Sequence, residues 1–166
     1  MTKKFESAAF APSSEAAGVS AIDAYLNSLA APQRFVGTAN ADVLTGTTGA
    51  DVLEGLAGDD TYYVNHSGDV VVELANGGTD TVYTSVNYTV AENVENVHLT
   101  AAGLTVTGSA TTNNIFYVDV PGGHVIDGGS TGNVVNYGGA SAGVTAVFAP
   151  ADGPLVARPG ADVVRN

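Results

Sequence analysis

Between Gly37 and Tyr63 the chain repeats one nine-residue pattern three times without a gap: GTANADVLT, GTTGADVLE and GLAGDDTYY. Gly37, Gly46 and Gly55 fall in one phase, Asn40, Gly49 and Gly58 in a second, and Asp42, Asp51 and Asp60 in a third. Glycine permits the positive φ of a tight turn, and a carboxylate five residues later folds back over that turn's carbonyls toward a hard cation. The apolar pairs that follow, Val43 with Leu44 and Val52 with Leu53, read as short strands. Each repeat is thus a turn of metal-binding type plus one strand. An isolated Asp after Gly is most often a turn residue bonded to its own backbone. Three in strict phase with three glycines favour a ligand role.

Composition narrows the class. The 166 residues include 21 glycines and only five Lys plus Arg, as expected of a turn-rich all-β chain. Seventeen acids give a formal net charge of −12, which repels nucleic acid and anionic lipid and leaves carboxylates available for cations. Cysteine is absent, so neither disulfides nor thiolate metal sites exist, and a bound metal would take over the stapling role. Glu6 and Glu15 interrupt any apolar core behind Lys3 and Lys4, so a cleavable signal peptide is not expected. No apolar run is long enough for a membrane-spanning helix.

The tandem stretch resembles the RTX, or haemolysin-type, calcium-binding nonapeptide repeat family, whose pattern GGxGxDxUx forms a parallel β-helix. Asn40 departs from that pattern by replacing a glycine, though asparagine tolerates the left-handed conformation. The resemblance implies a right-handed parallel β-helix or β-roll in which alternate units lie on opposite sides. Units eighteen residues apart then stack one strand spacing, about 4.8 Å, from each other. Asp42 and Asp60 share a side, while Asp51 lies on the other with Asp69 as its nearest neighbour by spacing. Stacked carboxylates repel unless a cation lies between them, and an all-oxygen donor set suits Ca²⁺ better than Mg²⁺. Zinc is disfavoured, because His66, His98 and His124 show no ligand spacing. A further Gly-Asp turn at Gly77, Gly78 and Asp80 adds Gly77 and Asp80 to the candidate ligands.

The chain divides into three. Residues 1–36 form an arm with a short amphipathic capping helix over 21–29, where Ile22, Tyr25, Leu26 and Leu29 share a face and Pro32 follows. Residues 37–148 form the roll, and residues 149–166 a tail that is an export signal, a last strand or a truncated repeat. A second internal copy sets DDTYYVNHSGDVV at Asp59 against NNIFYVDVPGGHVI at Asn113, bringing Tyr62 into phase with Phe116. Asn113 or Asn114, and then Asn133, replace the aspartates there, which predicts a calcium-independent C-terminal half. Asp119 and Asp127 have no partner by spacing and are read as solvated. Within the pairs Tyr62, Tyr63 and Phe116, Tyr117, alternation sends one ring into the core and one outward. The outward rings are a candidate strip for a sugar or protein partner.

HExxH does not occur, and enzymatic activity is not expected. The resemblance implies a secreted module exported without an N-terminal signal, which folds on meeting extracellular Ca²⁺ at the cell surface or beyond. The alternative is a structural subunit that self-associates through open solenoid ends. A polysaccharide or cell-surface target is compatible with both, and a β-helix enzyme acting on polysaccharide is the least favoured reading.

Overall fold

The computed structural model describes residues 31–130, 132–138, 146–149 and 162–165. The chain starts through β1 (Arg34–Val36), β2 (Val43–Thr45), β3 (Val52–Leu56), β4 (Thr61–Val64), β5 (Val70–Glu73), β6 (Thr81–Thr84) and β7 (Tyr88–Thr89). It continues through β8 (Asn96–Leu99), β9 (Thr105–Thr107), β10 (Ile115–Val118), β11 (Val125–Asp127), β12 (Val134–Asn136), β13 (Ala146–Ala149) and β14 (Asp162–Arg165). Every pairing among them is parallel, giving an all-β solenoid of about six turns. One flank is a six-stranded sheet in the order β2, β4, β6, β8, β10, β12. The other strands form two sheets, β1-β3-β5 and β7-β9-β11-β14-β13.

The strands obey period two because each has one wet face and one dry face. Leu44, Leu53, Tyr62, Val71, Val82, Val97, Val106, Phe116 and Ile126 each take the inward position of their strand and are buried. Each such side chain contributes roughly 1.5–3 kcal/mol of burial. On the six-stranded flank the turns advance 18 residues from Leu44 to Tyr62, then 20, 15, 19 and 19 to Val135. Tyr62 and Phe116 are therefore stacked core residues three turns apart, as the internal copy predicts.

Facing that sheet, pairing lapses between β5 and β7. There the amide N–H of Asp69 bonds the His66 carbonyl of its own turn at 3.0 Å, and Asn87 Oδ1 accepts from Thr105 N at 2.8 Å.

Asp162–Arg165 of the tail is a strand, inserted between β11 and β13. Its aspartate accepts the N–H of buried His124 at 2.8 Å. His124 is a structural residue, with Nδ1 accepting from Leu104 N at 3.2 Å and Nε2 set 2.7 Å from the Val120 carbonyl. Asp119, read as solvated and without a partner by spacing, is exposed as expected but pairs with His98, Oδ2 to Nδ1 at 2.8 Å, because β8 and β10 are neighbours. The capping helix expected over 21–29 lies outside the described residues, and the described residues contain no helix.

Candidate metal centre

The residue just before each strand of the six-stranded flank faces the next turn. These residues are Asp42, Asp60, Asp80, Glu95, Asn114 and Asn133. They form a ladder in which one backbone N–H donates to the side chain one turn on: Asp42 to Asp60 Oδ1 at 2.7 Å, Asp60 to Asp80 Oδ1 at 2.8 Å, Asp80 to Glu95 Oε2 at 2.9 Å. Asn114 N continues it to Asn133 Oδ1 at 2.6 Å. Across the roll, Gln33 N donates to Asp51 Oδ1 at 2.7 Å and Asp51 N to Asp69 Oδ1 at 3.0 Å. Asp42 with Asp60, and Asp51 with Asp69, thus stack as the spacing predicts.

The second carboxylate oxygen separates these acids. Asp42 Oδ2 accepts Thr38 N at 2.6 Å and Thr38 Oγ1 at 2.8 Å, and Thr47 serves Asp51 Oδ2 in the same way at 2.5 and 2.8 Å. Asp69 Oδ2 accepts from Asn65 N and His66 N, both at 3.0 Å. The corresponding oxygens of Asp60 and Asp80 are buried and have no partner. Four residues upstream of these two stand Leu56 and Asn76, held in the left-handed region at φ 81° and 62°. Neither residue carries a hydroxyl like that of Thr38 or Thr47 to offer the carboxylate.

Glu73, at the end of β5, completes the group: one oxygen each from Asp60, Glu73 and Asp80 lies within 4.8 Å of the others. The Tyr62 hydroxyl donates to Glu73 Oε1, and Leu74 N to Glu73 Oε2 at 3.0 Å. Gly55 leaves the space, since a Cβ there would lie 1.9 Å from the Tyr62 hydroxyl, 2.2 Å from Asp60 Oδ2 and 2.4 Å from Glu73 Oε1. Gly77 borders the same hollow, its Cβ position 3.1 Å from both Glu73 Oε2 and the Leu56 carbonyl oxygen.

Three carboxylates at this separation repel by about 3–4 kcal/mol per ionised pair at an effective dielectric near 20. Burial pushes Asp80 up to about 6, with the charges of Glu73, Glu95 and Asp60 adding to it against the hydrogen bond from Asp60 N. Asp60 is raised by burial and by the charges of Asp42 and Asp59. Glu73 is raised by burial and by Asp60 and Glu95, while the Tyr62 and Leu74 hydrogen bonds oppose the shift. The Tyr62 hydroxyl, buried beside Glu73, is held protonated. The donor set fits a hard divalent cation, which would engage the free oxygens of Asp60 and Asp80 and neutralise Glu73.

Residues 36–65 match the RTX calcium-binding nonapeptide repeat (4 copies). No curated protein and no solved structure matches the chain. The RTX stretch contains Asp42, Asp51 and Asp60, while Glu73 and Asp80 belong to the turn stacked on it. RTX repeats wound into a parallel solenoid fit a Ca²⁺-binding β-roll protein.

Of the sequence-derived candidates, Gly55, Asp60, Gly77 and Asp80 converge on this hollow. Gly37 and Gly46 play the Gly55 part for Asp42 and Asp51, whose Oδ2 atoms lie 2.9 and 2.6 Å from the glycine Cβ positions. Asn40 is exposed and bonds through its N–H to Thr38 Oγ1 at 3.2 Å. Gly49 makes the same bond to Thr47 at 3.1 Å. Gly58, at φ 110°, lies against Asn40 and Ala41 of the previous turn, where a Cβ would come within 2.4 Å of backbone. Sequence reasoning missed Glu73, Tyr62 as its hydroxyl donor, and Glu95. Glu73 is outside the nonapeptide phase, and its one signal is an acid closing the apolar run Val70–Val72.

Proposed function

We propose that the chain is an extracellular Ca²⁺-binding β-roll module whose cation seats between Asp60, Glu73 and Asp80 and drives folding of the first half of the solenoid. The observation that carries this reading is the pair of buried, unpartnered carboxylate oxygens on Asp60 and Asp80, with Glu73 beside them. An apo roll carries that repulsion unrelieved. Ligand binding to the folded state alone adds stability by mass action, so external calcium favours the wound form and scarcity of calcium favours the unwound one.

The Asn half supports restricting the metal to the first turns. Asn114 satisfies with its amide what Asp60 and Asp80 leave open: Oδ1 accepts from Ser109 N at 2.8 Å and Nδ2 donates to the Val94 carbonyl at 2.7 Å. Asn133 Nδ2 donates to the Gly128 carbonyl at 3.0 Å. In this reading the chain binds and does not catalyse, its acids being committed to the stacking of turns.

The test is a calcium titration from excess chelator, followed by circular dichroism and isothermal calorimetry. Extracellular modules bind with Kd around 10⁻⁴–10⁻³ M. Gain of β structure in that range, lost in the Asp60→Asn, Asp80→Asn double variant, is the expected result. A β-roll fully formed in chelator and indifferent to calcium would refute it.

A further inference from the structure

The outward face of the six-stranded sheet carries a second organised feature. In-register positions of β4, β6, β8 and β10 hold Tyr63, Tyr83, His98 and Tyr117. Their rings stack along the solenoid with centroids 5.3, 4.4 and 4.4 Å apart and planes within 23° of parallel. Beside the first two rings lies a hollow of about 300 Å³, lined by Tyr63, Val64, Asn65, Tyr83, Ser85 and Thr100.

Charge is what sets this face apart. The chain has a net charge of −12, yet the outward positions of the six strands carry Val, Thr, Asn, Ile, Tyr and one His, and no acid. Asp119, just past β10, is turned onto His98 at 2.8 Å. An uncharged partner is therefore not repelled at this face, whereas an anionic one meets the whole molecule's repulsion.

We propose that this face binds an uncharged polysaccharide, one sugar unit of which sits in the hollow between Tyr63, Asn65, Tyr83, Ser85 and Thr100. The stacked rings cover one another's faces, and the exposed lining of the hollow beside them is mainly apolar with a few polar groups from Asn65, Ser85 and Thr100, which suits the C–H face of a sugar ring and one or two of its hydroxyls. The hollow sits at the small end of ligand sites, which suits one ring of a chain held by contacts repeated along the strip. A second copy of this chain is the poorer occupant. Two bodies at −12 repel, and of the ring column only Tyr63 is more than two-fifths exposed.

The experiment is native affinity electrophoresis of the full chain with calcium, in gels containing dextran, laminarin or galactomannan, with alginate as the anionic comparison. Retardation in at least one neutral gel, insensitive to salt, is expected, weakened about tenfold by Tyr83→Ser and by the Asn65→Ala, Thr100→Ala pair. The pair changes exposed side chains only, and unaltered circular dichroism and calcium calorimetry separate loss of the sugar site from loss of the metal site. Passage through all three neutral gels, retardation by alginate alone, or retardation indifferent to both variants overturns the proposal. A concentration-dependent dimer in sedimentation, abolished by Tyr83→Ser, would assign the face to a second copy and overturn it too.

Discussion

Asp60 and Asp80 differ from Asp42 and Asp51 through the residue four positions upstream: threonine serves the latter two, and left-handed Leu56 and Asn76 stand before the former. A buried carboxylate without a proton or a cation strains the fold it belongs to. Asp80→Asn keeps the acceptor for Asp60 N while removing a charge, so the two ionic conditions must respond with opposite sign. In chelator at pH 7 the variant gains about 2–3 kcal/mol in urea unfolding. In calcium it binds at least about tenfold more weakly, because one ligand has lost its charge. The same logic gives a pH dependence. The folded pKa of Asp80, about 6, lies above its ordinary 3.8, so between these values the native state holds the extra proton and stability falls as pH rises. Metal-free protein therefore unfolds at a lower temperature at pH 7 than at pH 5. Saturating calcium removes that slope, as thermal scans across the range would show. Glu73 was illegible in the sequence because no repeat phase points to it. It reaches the site through the fold, from the end of β5, whereas the Asp42 and Asp60 stacking was readable from their spacing.

Glycine does two different jobs in the turns between strands, and alanine distinguishes them. At Gly55 the added Cβ would press on side-chain tips, the hydroxyl of buried Tyr62 and the carboxylates of Asp60 and Glu73, and not on backbone. At Gly58 it would meet the backbone of Asn40 and Ala41, in a left-handed conformation, with nothing able to move aside. Gly55→Ala is expected to retain its circular dichroism and lose calcium binding. Gly58→Ala is expected to lose about 1–3 kcal/mol of stability from backbone strain, in chelator as in calcium. Calorimetry and urea titration of the pair decide whether the phase of glycines marks metal or packing. The strands themselves were readable from their alternation, but the position of His98 within the tyrosine column was not. Turn lengths of 20, 15 and 19 residues depart from the nonapeptide multiple, so only the pairing of β6, β8 and β10 brings these rings together.

Along the six-stranded flank, chemistry divides down the axis: acids before β4 and β6, amides before β10 and β12. Hydrogen exchange in chelator should find amides of β2, β4 and β6 opening more readily than those of β8 and β10, and calcium should slow the first group far more than the second. Equal protection in both halves without metal would contradict that division. The sequence displayed this boundary through Asn114 and Asn133, but it left the tail open, because GADVV at 160–164 has no second repeat beside it in sequence. Its neighbours lie 16 residues upstream in β13 and 38 upstream in β11. That arrangement has a kinetic consequence. A solenoid winds like thread on a spool, each coil laid on the one before, and most of this chain can grow that way from either side of a nucleus. At the β11 end the thread must leave a slot open: β13 is made earlier than β14, yet among the described residues its sheet partner is β14 alone. Winding there stops until the later segment comes back to fill the slot, and the last coil closes in a single step.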